Sequence, residues 1–326
     1  MDLLYHYANN QKGFGILSSK SVRLSDICKS NDYKELTLLF PDVFDAIFMS
    51  FKESPFEFKY SDKNGEEALS CLLDSIEQSI GYDLNCGGFS NFVLCFSEKP
   101  DLLSQWRGYA NDGQGISIGF SKNLLTKKCN EADSIFRLEK VVYINEKQRQ
   151  KIITEQAAEV IEELKSLRKW IVNEMTNNDL SPYTDMLLKF NFYCIIENIL
   201  IDSLKYKPIG FKEEKEWRLF LRDRAYKNPK FVLGEEREMV GARSFNQTIS
   251  FLRNKIAFNI TDNNICPYVP LEFKDIGDDV IKEIWIGPKS KIVEKDMELF
   301  LAQYDYKNIQ IRFSETSYRW VLLLLD

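Results

Sequence analysis

The chain has 326 residues, of which 44% are hydrophobic and 28% charged, and a formal net charge of −6. That length supports one large domain or one domain carrying an insertion, and the acidic balance argues against broad attraction to nucleic acid. The start, Met1-Asp2-Leu3-Leu4-Tyr5-His6, has no basic segment followed by a long apolar stretch, and no apolar run reaches membrane-spanning length. A cytoplasmic protein without a membrane partner is expected.

Seven cysteines are scattered without a C-x-x-C pair, which disfavours a disulfide framework and a zinc site. The single histidine, His6, excludes zinc sites that need two. No G-x-S-x-G supports a serine triad.

Residues 3–7 read as a short strand, 12–20 as a short helix and 22–24 as a second strand. Ser25-Asp26 and Asn31-Asp32 carry turn or helix-cap chemistry. His6 is either a buried, hydrogen-bonded histidine or a ligand contact. Residues 66–80 repeat apolar side chains at helical spacing, and Gly87-Gly88 marks a turn without the spacing of a phosphate loop. The continuous apolar run 92–97 predicts a central strand, followed by a short helix 102–109, a turn at 111–115 and a strand 116–120. Within that helix Trp106, Arg107 and Tyr109 lie in one turn, offering a stacking surface and a cation for a ring or phosphate. The alternative is Trp106 in the core and Arg107 paired with a carboxylate.

A strand is expected at 138–144. From 146 to 175 the apolar positions alternate steps of four and three, and a second helix follows Ser181-Pro182. The pattern predicts a helical hairpin, 146–207, inserted into an α+β body of largely antiparallel strands made of 1–145 and 208–326. The hairpin is also a candidate homodimer surface. Beyond it, 256–258 and 267–273 read as strands, the latter confined to an edge by its prolines. Residues 280–286 and 309–313 are strands flanking an amphipathic helix at 292–304, and 321–325 form an apolar tail.

The candidate working centre is 211–221, where acidic residues run into a buried strand. If extended, Glu214 and Glu216 leave one face about 7 Å apart. Two carboxylates so placed repel each other unless a cation, a sugar hydroxyl or a proton lies between them, so they either face solvent or serve a ligand.

Several blocks resemble a bacterial family of unknown function found among mobile and host-defence loci. They are Leu4-Tyr5-His6-Tyr7, Val22-Arg23-Leu24-Ser25-Asp26 with Asn31-Asp32, Phe96-Ser97-Glu98, Leu103-Ser104-Gln105-Trp106-Arg107-Gly108-Tyr109, 115–120, 211–218 and Ile284-Trp285-Ile286-Gly287-Pro288. More remotely, a strand with histidine, a short helix with Gly-Ile-Leu, a second strand and Glu214-x-Glu216 resemble ADP-ribosyltransferase folds. That resemblance implies NAD as substrate. His6 would hold the nicotinamide ribose, and Tyr109 or Trp106 would stack on nicotinamide, with Arg107 and Arg23 in the cofactor site. Glu216 would stabilise the oxocarbenium-like state and Glu214 would orient a protein or nucleic-acid acceptor.

Three readings follow. The first is an NAD-consuming enzyme, ADP-ribosyltransferase or glycohydrolase, acting as a toxin or anti-phage effector alongside a defence-system partner protein, with no metal. The second is a hydrolase or nuclease holding Mg²⁺ through Glu98, Glu214, Glu216 and Asp26 or Asp32. The third is a non-catalytic sensor that binds a ligand through Arg107 and Trp106 and signals through the helical hairpin.

Overall fold

A computed structural model gives the structure and describes residues 2–27, 37–40, 42–86, 92–132, 134, 136–178, 184–221, 256–261, 264–277 and 279–316. The expectations for Asn31-Asp32, Gly87-Gly88, Ser181-Pro182 and 321–325 fall outside them.

The chain is α+β. It runs β1 (Leu3–Ala8), α1 (Asn10–Ser19), β2 (Ser21–Asp26), α2 (Asp42–Glu53), a β3–β4 ribbon (Lys59–Tyr60, Lys63–Asn64), α3 (Gly65–Cys86) and β5 (Phe92–Ser97). It continues with α4 (Leu103–Tyr109), β6 (Ile116–Ser121), α5 (Lys122–Cys129), β7 (Phe136–Lys140), β8 (Val142–Ile144), α6 (Glu146–Asn178), α7 (Thr184–Ser203), β9 (Tyr206–Pro208) and β10 (Glu216–Leu221). Last come β11 (Ala257–Thr261), β12 (Asn264–Glu272), α8 (Phe273–Ile276), β13 (Ile281–Ile286), α9 (Glu294–Gln303) and β14 (Gln310–Phe313).

Ten strands form one sheet in the order β11-β12-β2-β5-β1-β6-β13-β14, with β10 and β7 branching from β5. All its pairs are antiparallel except β13–β14. As its apolar run predicts, β5 is central. One of its edges carries β10, while β2 pairs with it at Phe92–Val93 and β1 at Ser97. The sheet therefore forks along β5.

Strand alternation sorts the side chains onto two faces. Leu4, Leu24, Phe96, Ile118, Leu219 and Ile284 share one buried core with α1, α5 and α9. We call this the inner face. The opposite face carries Tyr5 and Tyr7 under Trp106 of α4, and further along Val93 and Phe220 meet Leu204 just beyond α7.

A second core lies outside the sheet. Val43 and Ile47 of α2, Leu69 and Leu72 of α3, Leu164 of α6 and Phe192 of α7 belong to one buried cluster. The predicted hairpin thus pairs with α2 and α3, so residues 42–86, expected in the body, pack in a four-helix layer instead. The α6 start is fixed by a reciprocal cap: Asn145 N–H donates to Gln148 Oε1 and Gln148 N–H to Asn145 Oδ1, both at 2.9 Å.

Two expectations are corrected locally. The strand 138–144 is two strands, since Val141 N–H turns to Glu216 O (3.0 Å) and leaves β8 to pair with β9. Nor is β12 an edge, because it lies between β11 and β2. Its two ladders overlap only at Tyr268, and Pro267 and Pro270 have opposite parity. Each proline can therefore turn its missing N–H to the flank where no partner strand stands.

Candidate functional site

The chain reaches Glu216 through a 3-10 turn, Ile209–Glu214, and through Lys215, which is left-handed at φ 46° and ψ 51°. Glu214 is therefore not on the strand. Its carboxylate nonetheless comes beside that of Glu216, and the group between them is a lysine. Lys207 of β9 places Nζ 2.7 Å from Glu214 Oε2 and 3.2 Å from Glu216 Oε2. Arg218, two residues along the same face of β10, grips Glu216 with Nε at 2.7 Å from Oε1 and Nη2 at 3.1 Å from Oε2. Its Nη1 donates to Leu204 O at 2.9 Å.

All four groups lie inside the protein. Side-chain exposure is 2% for Lys207, 1% for Arg218, 7% for Glu216 and 13% for Glu214. Among the described residues two cations and two carboxylates come together in this quartet, the pairing that buried charge requires. Burial by itself would raise the Glu216 carboxyl, but the charge and hydrogen bonds of Arg218, then Lys207, outweigh it and hold Glu216 below the usual carboxylate range. The Cys95 side chain adds a further hydrogen bond to that carboxylate. Tyr143 of β8 accepts the Glu216 N–H at 2.8 Å, and Lys207 lies 4.9 Å from the Phe211 ring centroid.

One rung of the sheet links this quartet to a second polar centre. Glu216, Ser97, Tyr5, Gly119, Glu283 and Gln310 are successive register partners across β10, β5, β1, β6, β13 and β14. At its far end Glu283 accepts from Tyr5 Oη (2.7 Å) and Trp285 Nε1 (2.8 Å) on Oε1, and from Arg312 Nε (3.1 Å) on Oε2. Tyr5 reaches Glu283 over the whole width of β6, which is possible because Gly119 lies beneath. A Cβ there would stand 3.0 Å from both Tyr5 Cε1 and Glu283 Cγ. Burial, then the bond and charge of Glu283, push the Tyr5 phenol well above its ordinary value.

The other sequence-predicted residues are dispersed. His6 leaves β1 on the inner face, register partner of Ile118, whereas Glu216 is on the opposite one. They cannot share a cleft through the sheet. The imidazole Nδ1–H donates to Cys95 O at 2.9 Å in the fork between β1 and β2, at a position of β5 that is register partner to neither strand. Burial, opposed by that bond and aided by Lys12, holds His6 below its ordinary value.

Trp106 is fully buried, 4.8 Å from Tyr7 ring to ring in a T-shaped contact, and donates Nε1 to Asp101 Oδ1 at 2.5 Å. This is the core role. Arg107 is exposed and Tyr109 is 44% exposed on the outer side of α4. Arg23 is exposed and lies 4.7 Å from the centre of the Tyr268 ring, on the β2–β12 side of the fork. Glu98 turns to Lys140 Nζ (2.6 Å) and Trp217 Nε1 (2.8 Å), with Trp217 on the inner-face side. Asp26 is buried near the start of β5. Of the acidic set offered for Mg²⁺, Asp32 lies outside the described residues, and Glu98 and Asp26 do not join Glu214 and Glu216; among the described residues no group of three or more His, Cys, Asp or Glu could hold a metal ion.

Sequence reasoning misses Lys207, Tyr143, Asp101 and Glu283. Arg218 lies within the motif 211–218, and its period-two spacing from Glu216 on a strand is the signal that pairs them. Asp101 lies in the loop before α4, five residues from Trp106, whereas Lys207, Tyr143 and Glu283 come from other strands and carry no local signal.

Among the described residues no helix is long and apolar enough to cross a membrane. No curated protein and no solved structure matches the chain. The profile of a family described as "Protein of unknown function (DUF2971)" matches residues 105–219, from Gln105 in α4 to Leu219 in β10, a span that contains Trp106, Tyr143 and the whole quartet.

Proposed function

We propose that the chain is a non-catalytic ligand-responsive module whose output is carried by its helices. The observation behind this reading is the saturation of the acidic pair. Glu214 and Glu216 are held by Lys207, on the β9 connection between helices and sheet, and Glu216 also by Arg218 of β10, which reaches back to Leu204 O beyond α7. A catalytic carboxylate must face a reacting atom, whereas these face each other's counterions. Of the residues the sequence offers for ligand contact, Arg107, Tyr109 and Arg23 are the ones exposed to solvent.

The test is turnover and binding measured side by side. Wild type is incubated with NAD and nicotinamide release is followed, while melting temperature is recorded with NAD and with Mg²⁺ separately, since a ligand of the native state raises it. No nicotinamide release, with Glu216→Gln lowering the melting temperature, is expected. Nicotinamide release that Glu216→Gln abolishes at unchanged melting temperature would overturn the reading.

That second outcome belongs to an NAD-consuming toxin or defence effector. One observation favours it: Glu216 is held ionised on the same sheet face as Ser97 and Tyr5. Releasing Lys207 and Arg218 would then have to precede catalysis.

A further inference from the structure

The two cores differ in how they are joined. The helical core of α2, α3, α6 and α7 and the inner-face core of the sheet are each extensive. Between them lies a small apolar cluster, Ile27, Val93, Leu204 and Phe220 with Cys95 at its margin. Of the four chain connections between helices and sheet, the two described throughout run from β8 into α6 and from α7 into β9, and among the described residues these two strands pair only with each other, in a parallel ribbon of three residue pairs. Such a ribbon has little stability of its own.

The polar contacts at this junction converge on β10. Lys207 on β9 reaches Glu214 and Glu216, Arg218 Nη1 reaches Leu204 O, and Glu216 N–H reaches Tyr143 on β8. Val141 N–H donates to Glu216 O and Val142 N–H to Lys205 O, at 3.0 and 2.8 Å. We propose that helices and sheet are two rigid bodies hinged at the β8–β9 ribbon, and that the Lys207–Glu214–Glu216–Arg218 quartet is the latch fixing their relative orientation. The proposal deepens the reading of a responsive module and rests on it for what the motion serves; the hinge itself is read from the cores and the latch.

A strong local lock here lies beside an apolar interface that is small among the described residues. Segments of a chain joined by a small interface move relative to one another by default. That default is opposed by charges in low dielectric, where removing one partner leaves the others uncompensated. Without Lys207, Glu214 and Glu216 lose the cation they share and the two carboxylates repel. Neither core is touched by that change, so each should remain folded while the junction loosens.

Amide hydrogen exchange on the full chain tests this with Lys207→Met. Peptides covering 141–144 and 204–208 are expected to exchange about tenfold faster than in wild type, the scale of a local opening. Peptides from 157–171 and 116–121 should keep wild-type rates. Lys207→Arg, which preserves the charge, should restore most of the protection. Should Lys207→Met not fold, the charge-balanced pair Lys207→Met with Glu214→Gln is read in its place, with the same expectation. Equal acceleration in both cores, or no change at the ribbon, would overturn the hinge. Since no ligand or substrate enters the measurement, its outcome is separate from that of the NAD assay.

Discussion

His6 donates its Nδ1–H to the backbone carbonyl of Cys95 where two strands leave the same edge of β5. That one bond fixes the tautomer, because a carbonyl can only accept, and it gives the imidazole a structural part in the fork. His6→Phe would leave the Cys95 carbonyl without this donor, at a cost of about 1–3 kcal/mol in urea unfolding. His6→Asn, whose amide can donate from a similar position, should lose less than half of that. Equal losses for the two variants would show that the bond does not matter.

The same residue gives a pH signature. Its folded pKa is lowered, mainly by burial, so the stability it contributes is full above the unfolded value of about 6.5 and declines as pH falls below it, when the unfolded state binds the proton first. The chain has a single histidine, so no other imidazole confuses the range. The stability lost between about pH 7.5 and about pH 5.5 should be larger for wild type than for His6→Asn. Parallel curves over that interval would contradict the assignment.

Glu216 tests the quartet in acid. Its folded pKa is also lowered, with Arg218 and Lys207 outweighing burial. Its contribution is therefore present above the unfolded carboxylate value, about 4.3, and disappears as pH falls through the lower folded one. At neutral pH Glu216→Gln should cost about 3–5 kcal/mol, the range for breaking a buried ion pair by removing one partner. The difference from wild type should shrink as pH drops below about 4. A variant as stable as wild type at neutral pH would mean that the quartet is not a structural lock.

What the sequence makes legible depends on the range of each interaction. The run Phe92-Val93-Leu94-Cys95-Phe96 marks a strand covered on both faces, and the heptad-like spacing of α6 marks a helix packed along others; both are local patterns. The acidic pair is legible as a problem, two carboxylates needing a cation, but Lys207 sits on another strand beyond a 3-10 turn and nothing near Glu216 names it. Sequence alone draws His6 to the Glu216 site because the face it occupies depends on register, and the fork that claims its side chain is a property of three strands together. Helices α2 and α3 read as part of the body because the four-helix core joins segments separated by β5 to β8.

Asp101 separates Trp106 from Arg107, neighbours with opposite roles. Its carboxylate takes Trp106 Nε1 and Ser314 Oγ at 2.5 Å, Thr316 Oγ1 at 2.9 Å and the Glu315 N–H at 2.8 Å. Burial alone would raise its pKa, yet the bonds from Ser314, Trp106 and Thr316 hold it below the ordinary value. Asp101→Ala should therefore destabilise by about 2–3 kcal/mol, as loss of hydrogen bonds to a charged group does, and should speed exchange of the amides at 314–316. Arg107→Ala, at an exposed position, should leave the melting temperature unchanged while weakening any ligand that uses α4. Comparable destabilisation by both would reverse the division of roles.

Gly119 provides the most selective test of the rung. It is buried in β6, and its lack of a side chain is what lets Tyr5 and Glu283 meet over it from strands on either side. Gly119→Ala would place a methyl 3.0 Å from carbons of both, so one of them must shift and their 2.7 Å bond lengthen. A branched residue makes the conflict worse, because its extra methyls rise into the path of the phenol. Strand propensity pulls the other way: glycine is poor in strands, and on that ground alanine or valine would stabilise by up to about 1 kcal/mol. Overpacking costs typically about 1–3 kcal/mol and leaves two buried polar groups mispaired as well, so it should win. Net destabilisation is expected for Gly119→Ala and a larger one for Gly119→Val. In a Tyr5→Phe background the part of the Gly119→Ala cost that comes from the lost bond should vanish while the steric part stays, since phenylalanine keeps the Cε1 carbon, and a double-mutant cycle reads that coupling directly. Additive effects in the cycle would show that Gly119 is needed for some reason other than the Tyr5–Glu283 bond.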